Sequence, residues 1–336
     1  MQKHIRPFII ITALLFGLSS TAGLAQCNFG LPSSQHELNY SFQPIISPDK
    51  LSLRVTVDFQ SARSGKTTLI LPSEWAGQQE AYKSITDLAA ISPGTNIKET
   101  SDPTMRKVLS GPNSPVRLSY VLVKQWSGPL NSATRFYADL APEYFHLIGL
   151  TSLIHPKLSS FKLVGVHFDW SKLPKEWSVA TSFATDDRCQ SFHGTWHDAL
   201  NSLLVGGDYR IYRNSIAGNA LIFAIRGKWS FMDDEWTGKV SKIVETERAF
   251  WHDNTFPYFL ITLTPSAGTA AVRAARRLPM HSWSIFRGWT RFLPTSWPRF
   301  LMKSSIPGIH CEWDTRPTRR KQSLGSAKAL PDTLKT

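Results

Sequence analysis

The chain has 336 residues, with 38 Lys and Arg against 25 Asp and Glu, for a formal net charge of +13. Apolar residues make up 42% and aromatic residues 12%, which excludes wholesale disorder and allows sizeable cores. The charge is localised: residues 272–336 hold 13 basic and 3 acidic residues, whereas residues 26–271 sum to +1. The basic excess is therefore a property of the last fifth of the chain, and the body is close to neutral overall.

Lys3, His4 and Arg6 precede an apolar run from Phe8 to Leu18, and small residues follow up to Ala25. This is the layout of a secretory signal peptide over residues 1–25, and the run is shorter than the roughly 20 residues of a membrane-spanning helix. The expectation is a periplasmic or secreted protein with no transmembrane segment after cleavage. In an oxidising compartment Cys27 and Cys189 are available to pair.

Leu51 to Phe59 alternates apolar and polar residues without a break, the pattern of a half-buried strand. Ser61 to Gly65 reads as a hairpin turn and Thr67 to Leu71 as the return strand. Further strand-like runs at Arg117–Val123, Lys162–Phe168 and Leu221–Ile225 are separated by Pro, Gly, Asn and Ser. The fold class expected is mainly β: an antiparallel, sandwich-like domain over residues 26–215.

The pattern then changes. Asp233 and Asp234 can cap a helix that places Trp236, Val240, Ile243, Val244, Phe250 and Trp251 on one face. Tyr258 to Leu263 reads as a buried strand. Residues 216–265 thus resemble the opening of an α/β unit, and an incomplete unit would leave Trp236, Val240, Ile243 and Tyr258–Leu263 exposed. Residues 266–336 mix Arg, Trp, Pro and Ser with no structural period, an irregular basic tail.

No catalytic constellation stands in the frame as written. Ser64-Gly65-Lys66-Thr67 has the ending of a phosphate-binding loop, but Gln60 occupies the position of its first glycine, so a turn is the better reading. His193 and His197 are spaced to share a metal on a helix, yet Gly194 stands where a zincin has its glutamate. Asp186-Asp187 and Asp233-Asp234-Glu235 are explained by turns and helix capping. No catalytic, cofactor-binding or metal-binding residue is assigned, and no cofactor is expected in this chain.

Several segments nevertheless resemble the N-terminal part of the glycyl aminopeptidase family, zinc-dependent gluzincins that often carry a PDZ domain. They are Tyr40-Ser-Phe42, the run Leu51–Phe59, and Leu69-Ile-Leu-Pro-Ser-Glu-Trp-Ala-Gly77. The last is similar to the family's Leu-x-Leu-Pro-x-Trp-x-Pro-Gly turn, with Glu74 extra and Ala76 for the proline. Further on, Phe223–Trp229, Glu247–Trp251 and Pro257–Pro265 are similar to the family's entry into its peptidase domain. The resemblance implies zinc-dependent hydrolysis of N-terminal residues from peptides. It also implies a Gly-Gly-Thr segment and an H-E-x-x-H helix after Pro265, and this chain contains neither.

Both appear when the tail is read out of frame, joining the third base of each codon to the first two of the next. Met302-Lys303 then forces Glu, and with synonymous codons chosen freely the stretch through Cys311 yields HEIFHTWNSLR. The stretch ending at Arg287 yields GGTALTDAFMEYFS. The expectation is a frame displacement between about Pro265 and Ala274. His281, His310 and Cys311 would then be products of the displaced frame with no inherited role. The alternative is an exported, non-catalytic β-rich module that binds peptide or glycan.

Overall fold

The computed structural model describes residues 27–265, apart from 76, 129, 132–133, 186 and 255–257, together with the strand Trp283–Ile285. The signal-peptide region, Asp186, and the tail with His281, His310 and Cys311 lie outside the described residues.

In chain order, β1 (Glu37–Ser47) and β2 (Lys50–Gln60) form a hairpin, and β3 (Lys66–Ile70) follows the Ser61–Gly65 turn. A 3-10 turn (Ala81–Ser84) leads to β4 (Ile85–Ala90), β5 (Asn96–Glu99), β6 (Met105–Leu109) and β7 (Pro115–Val123). Next come β8 (Asp139–Ala141), β9 (Tyr144–Ile148), the single turn α1 (Gly149–Ser152) and β10 (His155–Pro156). Then follow β11 (Leu163–Asp169), β12 (Ser178–Thr181), β13 (Cys189–Thr195), α2 (Trp196–Leu200) and β14 (Leu203–Gly207). The last group is β15 (Arg210–Ile216), β16 (Asn219–Ile225), α3 (Asp233–Trp251), β17 (Tyr258–Leu263) and β18 (Trp283–Ile285).

The fold is mainly β, as the alternating runs require. Four sheets have the orders β13-β11-β1-β2-β7-β4, β10-β3-β6-β5, β12-β14-β9-β8 and β15-β16-β17-β18. Pairing is antiparallel except for β1 with β11 and β16 with β17. The large sheet buries Tyr40, Phe42, Val55, Val57, Leu118, Tyr120 and Phe168 against Phe145, Leu147 and Leu204 of the β12-β14-β9-β8 sheet. Within that core Phe42 stacks on Trp170 at 4.2 Å between ring centroids. The hydroxyls of Tyr40 and Tyr120 stay satisfied by donating to the carbonyls of Ile154 and Ser152.

One expectation is corrected. β3 is not the return strand of a hairpin with β2: β2 pairs with β1 and β7, while β3 pairs with β6 and β10 in another sheet. Ser61–Gly65 is a corner between sheets. Gly65 has φ 70°, and a Cβ there would lie 2.6 Å from the Ser110 carbonyl oxygen, so the corner requires glycine.

The β12-β14-β9-β8 sheet is buried on both faces. Along β9, Phe145 and Leu147 face the large sheet, while Tyr144 and Ile148 face the other way and meet Ile222, Ala224 and Leu260. Those three belong to β16 and β17, whose alternate residues Leu221, Phe223, Phe259 and Ile261 pack under Trp236, Val240 and Val244 of α3. The layers are therefore large sheet, small sheet, second small sheet, helix. β16, α3 and β17 form a parallel β-α-β unit.

Three further expectations are corrected. Trp236, Val240 and Phe259–Leu263 are buried because the helix takes one face of β16–β17 and the β9 sheet takes the other. The buried stripe of α3 stops at Val244, and Phe250 is 70% exposed, its ring set edge-on to Trp251 at 4.7 Å. Asp233 does not cap the helix; Met232 is the N-cap residue.

Candidate functional site

The residues singled out in the sequence are not brought together. His193 lies in β13 and His197 in α2, with Thr195 between them as the N-cap that accepts from the Asp198 N–H, so the pair does not share a helix. The carboxylate of Asp187 accepts from the Cys189 N–H. Asp233 pairs with Arg210 at 2.6 Å and accepts from the Tyr212 hydroxyl at 2.9 Å, and Arg210 holds the Asp233 carboxyl below the ordinary range. Glu235 pairs with Lys239 one turn on. At the Ser64–Thr67 turn, Thr67 Oγ1 accepts from the Ala62 N–H, which is a turn's internal bond and leaves no phosphate cradle. Among the described residues, no group of three or more His, Cys, Asp or Glu side chains is placed to hold a metal ion.

The ionisable groups that do converge lie at the junction between the β9 sheet and the β16–β17 sheet. Arg226, just past β16, lays its guanidinium 3.5 Å from the ring centroid of Tyr144 and pairs with Asp208 at 2.8 Å and 3.2 Å. The Tyr144 hydroxyl donates to Asp139 Oδ2 at 2.5 Å, and Lys124 Nζ lies 2.9 Å from Asp139 Oδ1. His146 Nε2 lies 3.2 Å from Thr262 Oγ1 of β17, and the Tyr209 hydroxyl lies 3.5 Å from Thr264 Oγ1.

Burial governs the chemistry of this cluster. Asp139 is fully buried and pairs with Lys124. Burial, reinforced by the Asp139 charge, pushes the Tyr144 phenol far above its usual range, so it remains a donor. Burial likewise draws His146 down to about 4, leaving it a neutral ring that bonds across the layers. Gly207 lets β14 lie close against the start of β9. Its φ is 132°, and a Cβ would meet the Tyr144 backbone at 2.5 Å. The cluster holds two sheets in register. Its hydroxyl–imidazole contact, Thr262 with His146, is buried, with the two residues 1% and 3% exposed.

The sequence reading passed over Asp139, His146 and Arg226. The available signal was an ionisable residue inside or at the end of an apolar run, as in Tyr144-Phe-His-Leu-Ile148 and Leu221-Ile-Phe-Ala-Ile-Arg226.

The sequence matches no protein-family model and no curated protein. The fold has solved counterparts. An aminopeptidase N family protein from Idiomarina loihiensis superposes with a TM-score of 0.55 at 19% identity, over 66% of this chain and 38% of its own. Two matches are more distant and carry no argument. Aminopeptidase A from Legionella pneumophila in complex with aspartic acid has a TM-score of 0.38 at 10% identity, covering 70% of this chain and 29% of its own. Yeast LTA4 hydrolase in complex with bestatin has a TM-score of 0.39 at 12% identity, covering 70% and 38%. This chain shares the fold of a little over a third of the Idiomarina aminopeptidase's length.

Proposed function

We propose that this chain is the N-terminal portion of a zinc-dependent aminopeptidase of the glycyl aminopeptidase kind, exported through residues 1–25. A frame displacement between about Pro265 and Ala274 has removed its metal-binding helix. As translated, the chain does not hydrolyse peptides. The observation that carries the reading is the β16–α3–β17 unit. It opens an α/β layer and reaches Pro265, the point after which the out-of-frame reading supplies GGTALTDAFMEYFS and then HEIFH. Two histidines one helical turn apart bind zinc from one face, and the glutamate between them is the base of such peptidases. The translated chain has no H-E-x-x-H anywhere. Peptides are the partner class of the parent enzyme, and zinc belongs to that enzyme alone. The Cys27–Cys189 disulfide supports an oxidising compartment, periplasmic or extracellular.

The test is the nucleotide sequence across codons 260–320, followed by two purified proteins: the chain as given and a version with the frame restored. The restored protein is expected to bind zinc and release the N-terminal residue from aminoacyl p-nitroanilides, and the chain as given to do neither. Zinc-dependent hydrolysis by the chain as given would refute the reading. So would a gene whose other frame closes at once past this point.

A further inference from the structure

Strand alternation gives the large sheet a second face, opposite its core, and the register sets polar residues across it in two lines. His167, Asn39, Asp58 and Arg117 lie side by side on β11, β1, β2 and β7. Asp169, Ser41 and Thr56 form the next line. Such a face is ordinarily open to water, yet Asp58 and Asp169 are each only 7% exposed.

Two walls enclose them. On one side the segment Cys27–Gly30 is tied down by the Cys27–Cys189 disulfide, by the Asn39 Nδ2 bond to the Gly30 carbonyl at 2.8 Å, and by Phe29 stacked on His167 at 4.8 Å. On the other, Ile91 and Ser92 bind the Arg117 backbone, the Ile91 N–H donating to its carbonyl and Ser92 Oγ accepting from its N–H. Between the walls is a groove of about 270 Å³, with Lys172 also on its lining.

The floor is rigid and electrically balanced. Asp58 takes a two-pronged bond from Arg117 at 2.6 Å and 2.7 Å, and Asp169 accepts from the Ser171 N–H and from Ser41 Oγ. Thr56 Oγ1, Asn39 Oδ1 and Lys172 Nζ have no partner among the described residues. Two carboxylates and two cations line the groove, so neither an anion nor a cation gains from the net field. A neutral ligand that both donates and accepts fits the fixed carboxylates, the guanidinium and the free hydroxyl together. The volume lies at the small end of ligand pockets, which begin at roughly 300 Å³, and so limits the occupant to about one ring. An extended peptide is disfavoured, because the floor strands are all paired within the sheet and leave no edge for strand addition.

We propose that this groove binds a neutral polyhydroxyl ligand, a single sugar ring or the terminal unit of a glycan. The proposal does not depend on the peptidase reading, since the groove lies on a different sheet from the β16–α3–β17 unit.

The test is saturation-transfer NMR and calorimetry on the full chain with glucose, galactose, mannose, N-acetylglucosamine and cellobiose, up to about 10 mM, a range that reaches weak millimolar binding. At least one is expected to bind. Thr56→Val and Lys172→Ala, neither of which touches the core, are expected to weaken that binding at least tenfold while circular dichroism stays unchanged. Lys242→Ala, on the exposed side of α3, should leave it intact. The proposal is overturned if no saccharide binds, if both groove variants bind as well as the parent, or if acetate or a free tripeptide binds better than every sugar.

Discussion

The guanidinium of Arg226 lies 3.5 Å above the ring of Tyr144, joining the residue just past one sheet's central strand to the first residue of a strand in the layer beneath. The contact is largely dry, since Arg226 is 13% exposed and Tyr144 is 6% exposed. A cation over an aromatic face gains strength as water is excluded. The planar guanidinium also keeps its fork on Asp208, which a lysine cannot reproduce.

Arg226→Ala is therefore expected to lower stability by about 1–3 kcal/mol. Arg226→Lys should recover only part of that. Urea unfolding measures the loss, and amide exchange at β16 and β17 should accelerate more than at β1 and β2.

Trp236 anchors α3, packing edge-on against Phe223 at 5.6 Å with 3% of its surface exposed. Trp236→Ala should cost about 3–5 kcal/mol, the range for removing a buried aromatic side chain. Helical signal from residues 233–251 should fall before the signal of the large sheet, which NMR or exchange mass spectrometry would resolve.

His146 and His155 are buried and neutral, each drawn from 6.5 to about 4 by burial. Both are harder to protonate in the fold than in the unfolded chain, so the unfolded state binds more protons between those values. Stability should accordingly be full above pH 6.5 and decline as pH falls towards 4. The slope is on the order of 1 kcal/mol per pH unit for each histidine. Urea midpoints at a series of pH values give the slope, and His155→Gln should make it shallower.

The Cys27–Cys189 disulfide joins residues 162 apart in sequence. Reducing it should lower stability by about 2–5 kcal/mol, because the unfolded chain regains the freedom of a long loop. Thermal melts with and without dithiothreitol provide the measurement. A Cys27→Ser, Cys189→Ser protein should melt at the reduced value in both conditions.

The large sheet was legible because its strands have one wet face: Leu51–Phe59 and Arg117–Val123 alternate, and alternation reads as a strand. Partnership was not legible. Thr67–Leu71 carries the same signal whether it returns to β2 or turns a corner into another sheet, and only the Ser110 carbonyl crowding Gly65 distinguishes the two. β16 and β17, covered on both faces, still read as unbroken apolar runs, whereas His146 interrupts the run of β9 and Gly206-Gly207 shortens that of β14. The junction cluster is hidden for a related reason. Arg226 finds Asp208 and Tyr144, and His146 finds Thr262, across separations of 18, 82 and 116 residues, which no local pattern encodes.

A sheet with both faces occupied also determines how the molecule can be divided. A fragment ending at residue 215 would keep the β9 sheet but lose Ile222, Ala224 and Leu260, leaving Tyr144, Ile148, Leu203 and Val205 facing water. The complementary fragment would lose the same contact from its side, keeping α3 on one face of β16–β17 and nothing on the other. Each half is expected to expose that shared contact when made alone. Cutting the chain at its most obvious change of pattern would produce two sticky pieces in place of two soluble domains.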